Sequence, residues 1–369
     1  MRIHWTADYD IRGNGYGYTM HQKNLRAGLE GQGVVMDPDS DLVVHIVTPP
    51  TFNPIPGKYN VLYTMYEMAA IPEEWIEPLQ MADLVVVPNH HNRHLFARYY
   101  KGPIEVVWEG VKPEKFTLVK RTPPKPGEKL RFLWLGASNP RKGYEQVCMA
   151  WQEFYGKNPE VRPNVELYLK TTQPMTETRN LGLKAAGAIF DNRDLPIDEL
   201  IELYHSAHVF LFPSMGEGWG LTLHEAMATG MPVIYTPWSA MRDWVPEKYA
   251  YPLKFTMKNI DTIRQTGDGV GEKYHSAPAA WPDWHHLARR MYQLYGHYEE
   301  AAERGYKAAQ VVREITWERS AREFIDKVTP HYEKWRGNDG CEDNAYDWLQ
   351  RKVRDLPCVE DRAEAYASP

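Results

Sequence analysis

Short apolar runs recur along the chain, and longer segments with helical spacing lie between them. The runs "DLVVHIV" (41–47), "NVLYTMY" (60–66), "DLVVVP" (83–88) and "IEVVW" (104–108) are too short for helices and rich in β-branched residues, so they predict buried strands. "TMHQKNLRAGLEGQG" (19–33) predicts a helix that ends at its glycines. Buried strands alternating with helices imply a parallel sheet covered by helices. The pattern stops at "KRTPPKPGEK" (120–129), whose three prolines and one glycine cannot hold a helix or a central strand and predict a linker.

The same alternation then resumes. "LRFLWLG" (130–136), "NVELYLKT" (164–171), "HVFLFPS" (208–214) and "PVIYT" (232–236) predict strands. "GYEQVCMAWQEFYGK" (143–157), "IDELIELYHSA" (197–207) and "LTLHEAMATG" (221–230) predict helices, the last ended by Gly230 and kept from continuing by Pro232. The expectation is an α/β chain of two doubly wound domains, 1–119 and 130–310, facing each other across a cleft. "GDGVGEKYHSAPAAWPDW" (267–284) predicts an irregular surface loop, and 285–327 look helical. The tail 337–369 carries eight acidic against four basic residues, with room for one short helix at 345–353.

Composition narrows the class. A chain of 369 residues exceeds what one hydrophobic core usually serves, and 43% hydrophobic with 25% charged residues is globular. A net charge of −6 argues against a strongly basic nucleic-acid surface. Three widely spaced cysteines make no disulfide framework, the start "MRIHWTADYD" has no apolar leader, and no apolar run approaches a membrane span. A soluble, cytoplasmic protein is expected. Thirteen tryptophans and 23 tyrosines suit sugar or base stacking, and bulky cores account for them equally well.

The chemistry concentrates in "SMGEGWGLTLHEAMATGMPVI" (214–234). A strand ends at Pro213, a loop with Gly216, Gly218 and Gly220 follows, and a helix begins near Leu221. Glycines let a ligand reach backbone N–H groups, and a helix amino end offers unpaired donors and a positive dipole to an anion. Glu217 and Glu225 flank that turn. Carboxylates accept hydroxyls well and repel phosphate, so a ligand with hydroxylated ends and an anionic middle fits, which describes a nucleotide sugar. Arg141 and Lys142, in "GASNPRKGYE" (136–145), supply cations after a strand and before a helix.

With these residues in place, "EGWGLTLHE" resembles the E-x7-E motif of retaining glycosyltransferases of the GT-B class, family 4, built from two Rossmann-like domains. The resemblance is most specific over 208–236 and extends to "ITWERSAREF" (315–324), which is similar to the family segment that crosses back to the first domain, here 311–336. It implies transfer of a hexosyl or pentosyl group from a UDP- or GDP-sugar to a hydroxyl acceptor, with no further cofactor and no metal. Glu217 would hold sugar hydroxyls, and the backbone of Gly218, Trp219, Gly220 and Leu221 would serve sugar and phosphate. Thr222 would reach a phosphate, Glu225 the ribose, and Arg141 and Lys142 the departing diphosphate. Phe190 would meet the nucleobase, and Gly15 and Gly17 of "GNGYGY" would close on the phosphates. The chain departs from the family at Ala137, where an arginine is usual, and in "YTMYEM", where Glu67 stands near the usual histidine as a candidate acceptor contact.

Other features carry plainer readings. "GNGYGY" lacks the third glycine of a dinucleotide fingerprint, since Tyr18 occupies that place. His90, His91 and His94 are spaced like metal ligands but lack a carboxylate or cysteine partner, so solvent-facing histidines are expected. His205 and His208 read as helix-end residues and His224 as packing. Glycans, small molecules, lipid-linked sugars, proteins and hydroxylated DNA bases all remain acceptors compatible with the sequence. A sugar-nucleotide epimerase or phosphorylase, or an inactive nucleotide-sugar-binding protein, are the competing functions.

Overall fold

Runs of β-branched residues bury strands on both faces, and two parallel sheets result. The computed structural model describes residues 1–6, 16–137, 139–172, 183–184, 186–265 and 272–337. Contacts divide the chain into two units: 1–110 with 263–275 and 317–369, and 111–262 with 276–316.

The first unit contains β1 (Arg2–Trp5), α1 (Tyr16–Gly31), β2 (Val35–Met36), β3 (Leu42–Ile46), β4 (Tyr59–Tyr63), α2 (Ile76–Gln80), β5 (Leu84–Val87), α3 (His90–Phe96) and β6 (Ile104–Val106). Its sheet runs β2-β1-β3-β4-β5-β6, with every pair parallel. All residues of β3, β4 and β5 are buried, as expected of central strands covered on both faces.

The second unit contains β7 (Leu130–Leu135), α4 (Tyr144–Lys157), β8 (Val165–Lys170), β9 (Ala188–Asp191), α5 (Ile197–Ser206), β10 (Val209–Phe212), α6 (Leu221–Ala228), β11 (Val233–Tyr235), α7 (Met241–Trp244) and β12 (Tyr251–Pro252). These strands order as β12-β11-β10-β7-β8-β9, again parallel. The chain therefore steps away from β7 in both directions, and β7 and β10 flank the point where the order reverses. Loops beyond the carboxyl ends of such a pair diverge and leave a crevice, the usual ligand position in doubly wound sheets. The core below holds Phe132, Trp134, Trp151, Phe154, Leu211 and Leu287. Several tryptophans thus serve packing, and Trp134, Trp151 and Trp219 are among the largest fully buried side chains.

Two further strands, β13 (Phe255–Gln265) and β14 (Glu272–Pro282), pair with one another. Over 272–282, β14 corrects the expectation of an irregular loop at 267–284, and 267–271 lie outside the described residues. In β14, Ser276 and Pro278 are exposed while Ala277 and Ala279 are buried, a strand alternation carried by residues too small to register as apolar periodicity. Pro278 is tolerated because a two-stranded ribbon has an open edge on each strand.

Helices α8 (Trp284–Gly296) and α9 (Tyr298–Val312) follow, and α10 (Trp317–Gly337) packs on α1 of the first unit. That approach requires Gly28, where a Cβ would stand 2.8 Å from the Trp317 carbonyl oxygen. The short helix expected at 345–353 lies outside the described residues. Among the described residues no helix is long and apolar enough to cross a membrane.

The carboxyl ends of α5 and α6 are tied down by two arginines. Arg121 donates through Nη1 to the carbonyls of His205 and Ala207, and through Nη2 to Tyr204 O and Thr229 Oγ1, both at 2.9 Å. Burial draws its guanidinium down to about 10, still protonated at neutral pH. Arg313 Nη1 reaches Phe116 O at 2.6 Å and Ala228 O at 3.2 Å, and its Nη2 reaches Pro113 O at 3.0 Å. Cations at helix carboxyl ends complete the unpaired carbonyls and oppose the negative end of the dipole. Residues 120–129 contain neither helix nor strand.

One backbone contact holds together the loops that follow β7 and β10. Gly143 adopts φ 70°, and a Cβ there would lie 2.0 Å from the Pro213 carbonyl oxygen. Gly143→Ala should therefore destabilise the second unit by about 2–4 kcal/mol, read as a lower midpoint in urea unfolding. An unchanged midpoint would show that the two loops part without penalty.

Candidate active site at the switch point of the second sheet

After β7 the chain passes Gly136 and enters a 3-10 turn, Pro140–Lys142. Asn139 caps this turn by accepting from the Lys142 amide at 3.1 Å, and Pro140 starts it without needing a donor. Trp134 Nε1 donates to Lys142 O at 3.2 Å. Gly143 then turns left-handed, and α4 begins. After β10 the chain runs through Pro213 and Ser214 to Gly220, which holds φ 92° as the N-cap of α6. The two loops are stitched together: Met215 N donates to Arg141 O at 2.7 Å.

This stitching brings Glu217 against the cations. Lys142 Nζ lies 2.8 Å from both Glu217 carboxylate oxygens, and Arg141 Nη1 lies 3.4 Å from Oε2. Ser214 Oγ donates to Oε1 at 2.6 Å. Arg141 Nη1 also donates to Gly216 O at 2.6 Å. Behind the loop, Ser239 Oγ accepts from Glu217 N at 2.9 Å and donates back to Glu217 O at 3.1 Å, from a backbone at φ 54°. Glu217 is only 5% exposed. Burial pushes its carboxyl up, but the charges of Lys142 and Arg141 and the bonds from Lys142 and Ser214 outweigh this and hold it below its ordinary value. Two cations against one carboxylate leave this cluster with a net positive charge, suited to an anion.

Along α6, Leu221 and Thr222 are half-buried and begin the helix, and no acidic residue occupies its first turn. Its amino end is capped by a glycine that has no side chain to supply an acceptor. Trp219 is 2% exposed, so its indole is a core group. Its Nε1 donates to His224 Nδ1 at 3.1 Å, and His224 Nε2 stands 2.9 Å from Val312 O. That pairing fixes the neutral tautomer with its proton on Nε2. Burial lowers His224 to about 4. Its packing matches the plain reading of that histidine.

Glu225 is partly buried, and Tyr204 Oη donates to its Oε2 at 2.9 Å. Burial pushes this carboxyl up to about 7, with the Tyr204 bond opposing. The two glutamates of the motif thus differ: Glu217 is held charged by cations, while Glu225 is poised near neutrality by desolvation.

The remaining candidates are dispersed. Phe190 lies in β9, half-buried, with Lys184 Nζ 5.9 Å from its ring centroid. The sheet being parallel, β9 ends on the same edge as β7 and β10. In the first unit, Gly15 lies outside the described residues, and Gly17 is exposed at the start of α1. Glu67 is half-buried in a segment pinned on both sides. Tyr18 Oη donates to Met65 O at 3.1 Å, and Asn92 accepts from Tyr66 N at 3.1 Å and donates to Tyr66 O at 2.5 Å. His90 and His94 are exposed on α3, while His91 Nε2 lies 3.3 Å from Met68 O. His205 sits in the last turn of α5 and His208 just before β10. Among the described residues, no three His, Cys, Asp or Glu side chains gather as metal ligands.

Ser214, Ser239 and Tyr204 escaped the sequence reading. Ser214 opens the motif-bearing stretch, so its place was visible but not its role. Ser239 and Tyr204 come from distant segments that carry no local pattern.

Two parallel doubly wound sheets with flanking helices match the GT-B fold of glycosyltransferase structures. Residues 129–261, which include Arg141, Lys142, Glu217 and Glu225, match the family model described as glycosyl transferases group 1. D-inositol 3-phosphate glycosyltransferase of Acidothermus cellulolyticus is 32% identical over 111 residues, covering 28% of this chain and 25% of that protein. The match thus spans about a quarter of that relative's length. Among solved structures, sucrose-phosphate synthase of Thermosynechococcus elongatus superposes with a TM-score of 0.59 at 17% identity, covering 88% of this chain and 81% of the other. Anabaena HepE, in complex with UDP and glucose, gives a TM-score of 0.61 at 10% identity over 89% and 100% of the two chains. At these identities the structural likeness concerns the fold.

The raised Glu225 carboxyl has a consequence for stability. The folded state keeps this proton between the ordinary 4.5 and about 7, so the stabilising contribution is present at low pH and fades as pH rises through that window. Glu225→Gln should therefore gain about 1–2 kcal/mol at pH 8 and little at pH 5, measured by chemical denaturation at both pH values. Equal effects at both would show that the carboxyl titrates normally.

Proposed function

We propose that this chain is a retaining glycosyltransferase that moves a sugar from a UDP- or GDP-sugar to a hydroxyl acceptor, without a divalent metal. The observation that supports the reading best is the Arg141–Lys142–Glu217 cluster beside the amino end of α6, at the switch point of the second sheet. The matched group 1 domain and the named glycosyltransferase relative support it independently.

In this reading the donor diphosphate lies between Arg141, Lys142 and the backbone donors of Gly218, Trp219, Gly220, Leu221 and Thr222. Glu217 meets sugar hydroxyls and keeps the cations in place, and Glu225 meets the ribose. Phe190 lies by the base. As the bond from the anomeric carbon to phosphate breaks, negative charge grows on the leaving oxygen. Fixed cations and amides stabilise it most in the transition state. The acceptor oxygen bonds to the same face of the anomeric carbon, its proton passes to the leaving phosphate oxygen, and the nucleoside diphosphate departs. A covalent intermediate on Glu217 is disfavoured by its environment, because its two oxygens already accept from Lys142 and Ser214 and its charge is stabilised.

The acceptor class is a hydroxyl compound: a glycan, a small molecule or a hydroxylated DNA base. A cytoplasmic setting suits three cysteines with no disulfide pattern.

Two measurements test the reading. A panel of nucleotide sugars should contain one that raises the melting temperature, because a ligand of the folded state stabilises it; no shift with any UDP- or GDP-sugar would refute the proposal. With that donor, Lys142→Ala should lower kcat/KM roughly 100- to 1,000-fold, and wild-type turnover in the variant would remove Lys142 from the mechanism. Product analysis without acceptor separates the competing epimerase, which would yield an epimeric sugar nucleotide.

A further inference from the structure

Tyr204 is fully buried, yet it carries a hydroxyl. Its ring packs edge-on to Phe116, with centroids 5.9 Å apart, and against Phe210 at 6.1 Å. A phenylalanine would fill that space as well, so packing does not explain the oxygen. The hydroxyl has one proton to give, and it lies within reach of Glu225 Oε2 at 2.9 Å and Thr222 O at 3.3 Å. The shorter of the two contacts, to the Glu225 carboxyl oxygen, takes the proton. The backbone of the same residue is fixed as well, since Arg121 Nη2 donates to Tyr204 O at 2.9 Å. The phenol is thus a rigid donor delivered from the core to one oxygen of a partly buried carboxylate.

We propose that Tyr204 is a positioning residue for the nucleoside end of the donor, holding Glu225 so that its remaining acceptor sites receive the ribose hydroxyls. This rests on the nucleotide-sugar reading above. A carboxylate accepts vicinal hydroxyls well only when its plane is fixed, and ordering it beforehand removes a rotamer penalty from binding. Losing the phenol would free Glu225 to rotate without removing it, so the ribose contact would weaken while contacts elsewhere on the ligand persist.

Calorimetric titration with UDP, GDP and their 2′-deoxy counterparts isolates that contact. Wild type should prefer the ribonucleotide over its deoxy form by about tenfold or more. Tyr204→Phe should weaken ribonucleotide binding roughly tenfold and the deoxy form far less, so the preference collapses toward that of Glu225→Gln. A Tyr204→Phe protein that melts near wild type and keeps the full preference overturns the inference and leaves the glycosyltransferase reading standing. A wild type that binds both forms equally also overturns it. A wild type that binds neither UDP nor GDP overturns the broader reading. Should Tyr204→Phe fail to fold, 3-fluorotyrosine at position 204 keeps the ring and strengthens the donor; an increased preference supports the role, and an unchanged one rejects it.

Discussion

A buried carboxylate between two cations organises the loops that follow β7 and β10. Glu217 could not stay ionised at 5% exposure without Lys142 and Arg141, because desolvation alone would drive it neutral. The dependence is mutual, since the same carboxylate draws two long side chains out of solvent and fixes them beside the amino end of α6. Gly143 and Pro213 press the two loops together, and the Met215–Arg141 backbone bond locks them. The cluster therefore arises from loop register as much as from charge, and a shift of one loop would leave a buried ion unpaired.

The second glutamate of the motif lives in the opposite regime. Among the described residues Glu225 has no cation among its stabilising partners, and burial pushes it up to about 7, while its neighbour His224 is pulled down to about 4. One helix turn thus carries an acid that resists ionising and a base that resists protonation, both because burial disfavours charge. For His224 the stabilising effect is present above its ordinary 6.5 and is lost as pH falls from there through about 4. The two groups pull the acid side of the stability curve in opposite directions.

The strands were readable because two-faced burial selects continuous apolar runs, as in Leu42–Ile46 and Val209–Phe212. The motif glutamates and the Arg141–Lys142 pair stand out in the sequence as charged residues set among glycines at the ends of strands, and the structure brings Glu217, Arg141 and Lys142 together. What escaped notice depends on contacts between distant segments. Ser239 reaches Glu217 across 22 residues and Tyr204 reaches Glu225 across 21, with no local periodicity to mark either. In β14, alanines and prolines hide the strand alternation, so its sequence resembles a loop. For Trp219, flanked by glycines, the sequence is compatible with either core packing or sugar stacking, and the structure turns its indole inward to His224.

The arginines that close the far end of α6 add a temporal constraint. Arg121 reaches Thr229 across 108 residues, and Arg313 reaches Ala228 across 85. Contacts of such long sequence separation form late, after loop-closure entropy has been met. During synthesis, the glutamate-bearing stretch emerges well before residue 313. Until that arginine arrives, the helix lacks one of these two anchors, so its setting cannot be complete before residue 313 has been made, whatever the pace at which its own residues are added.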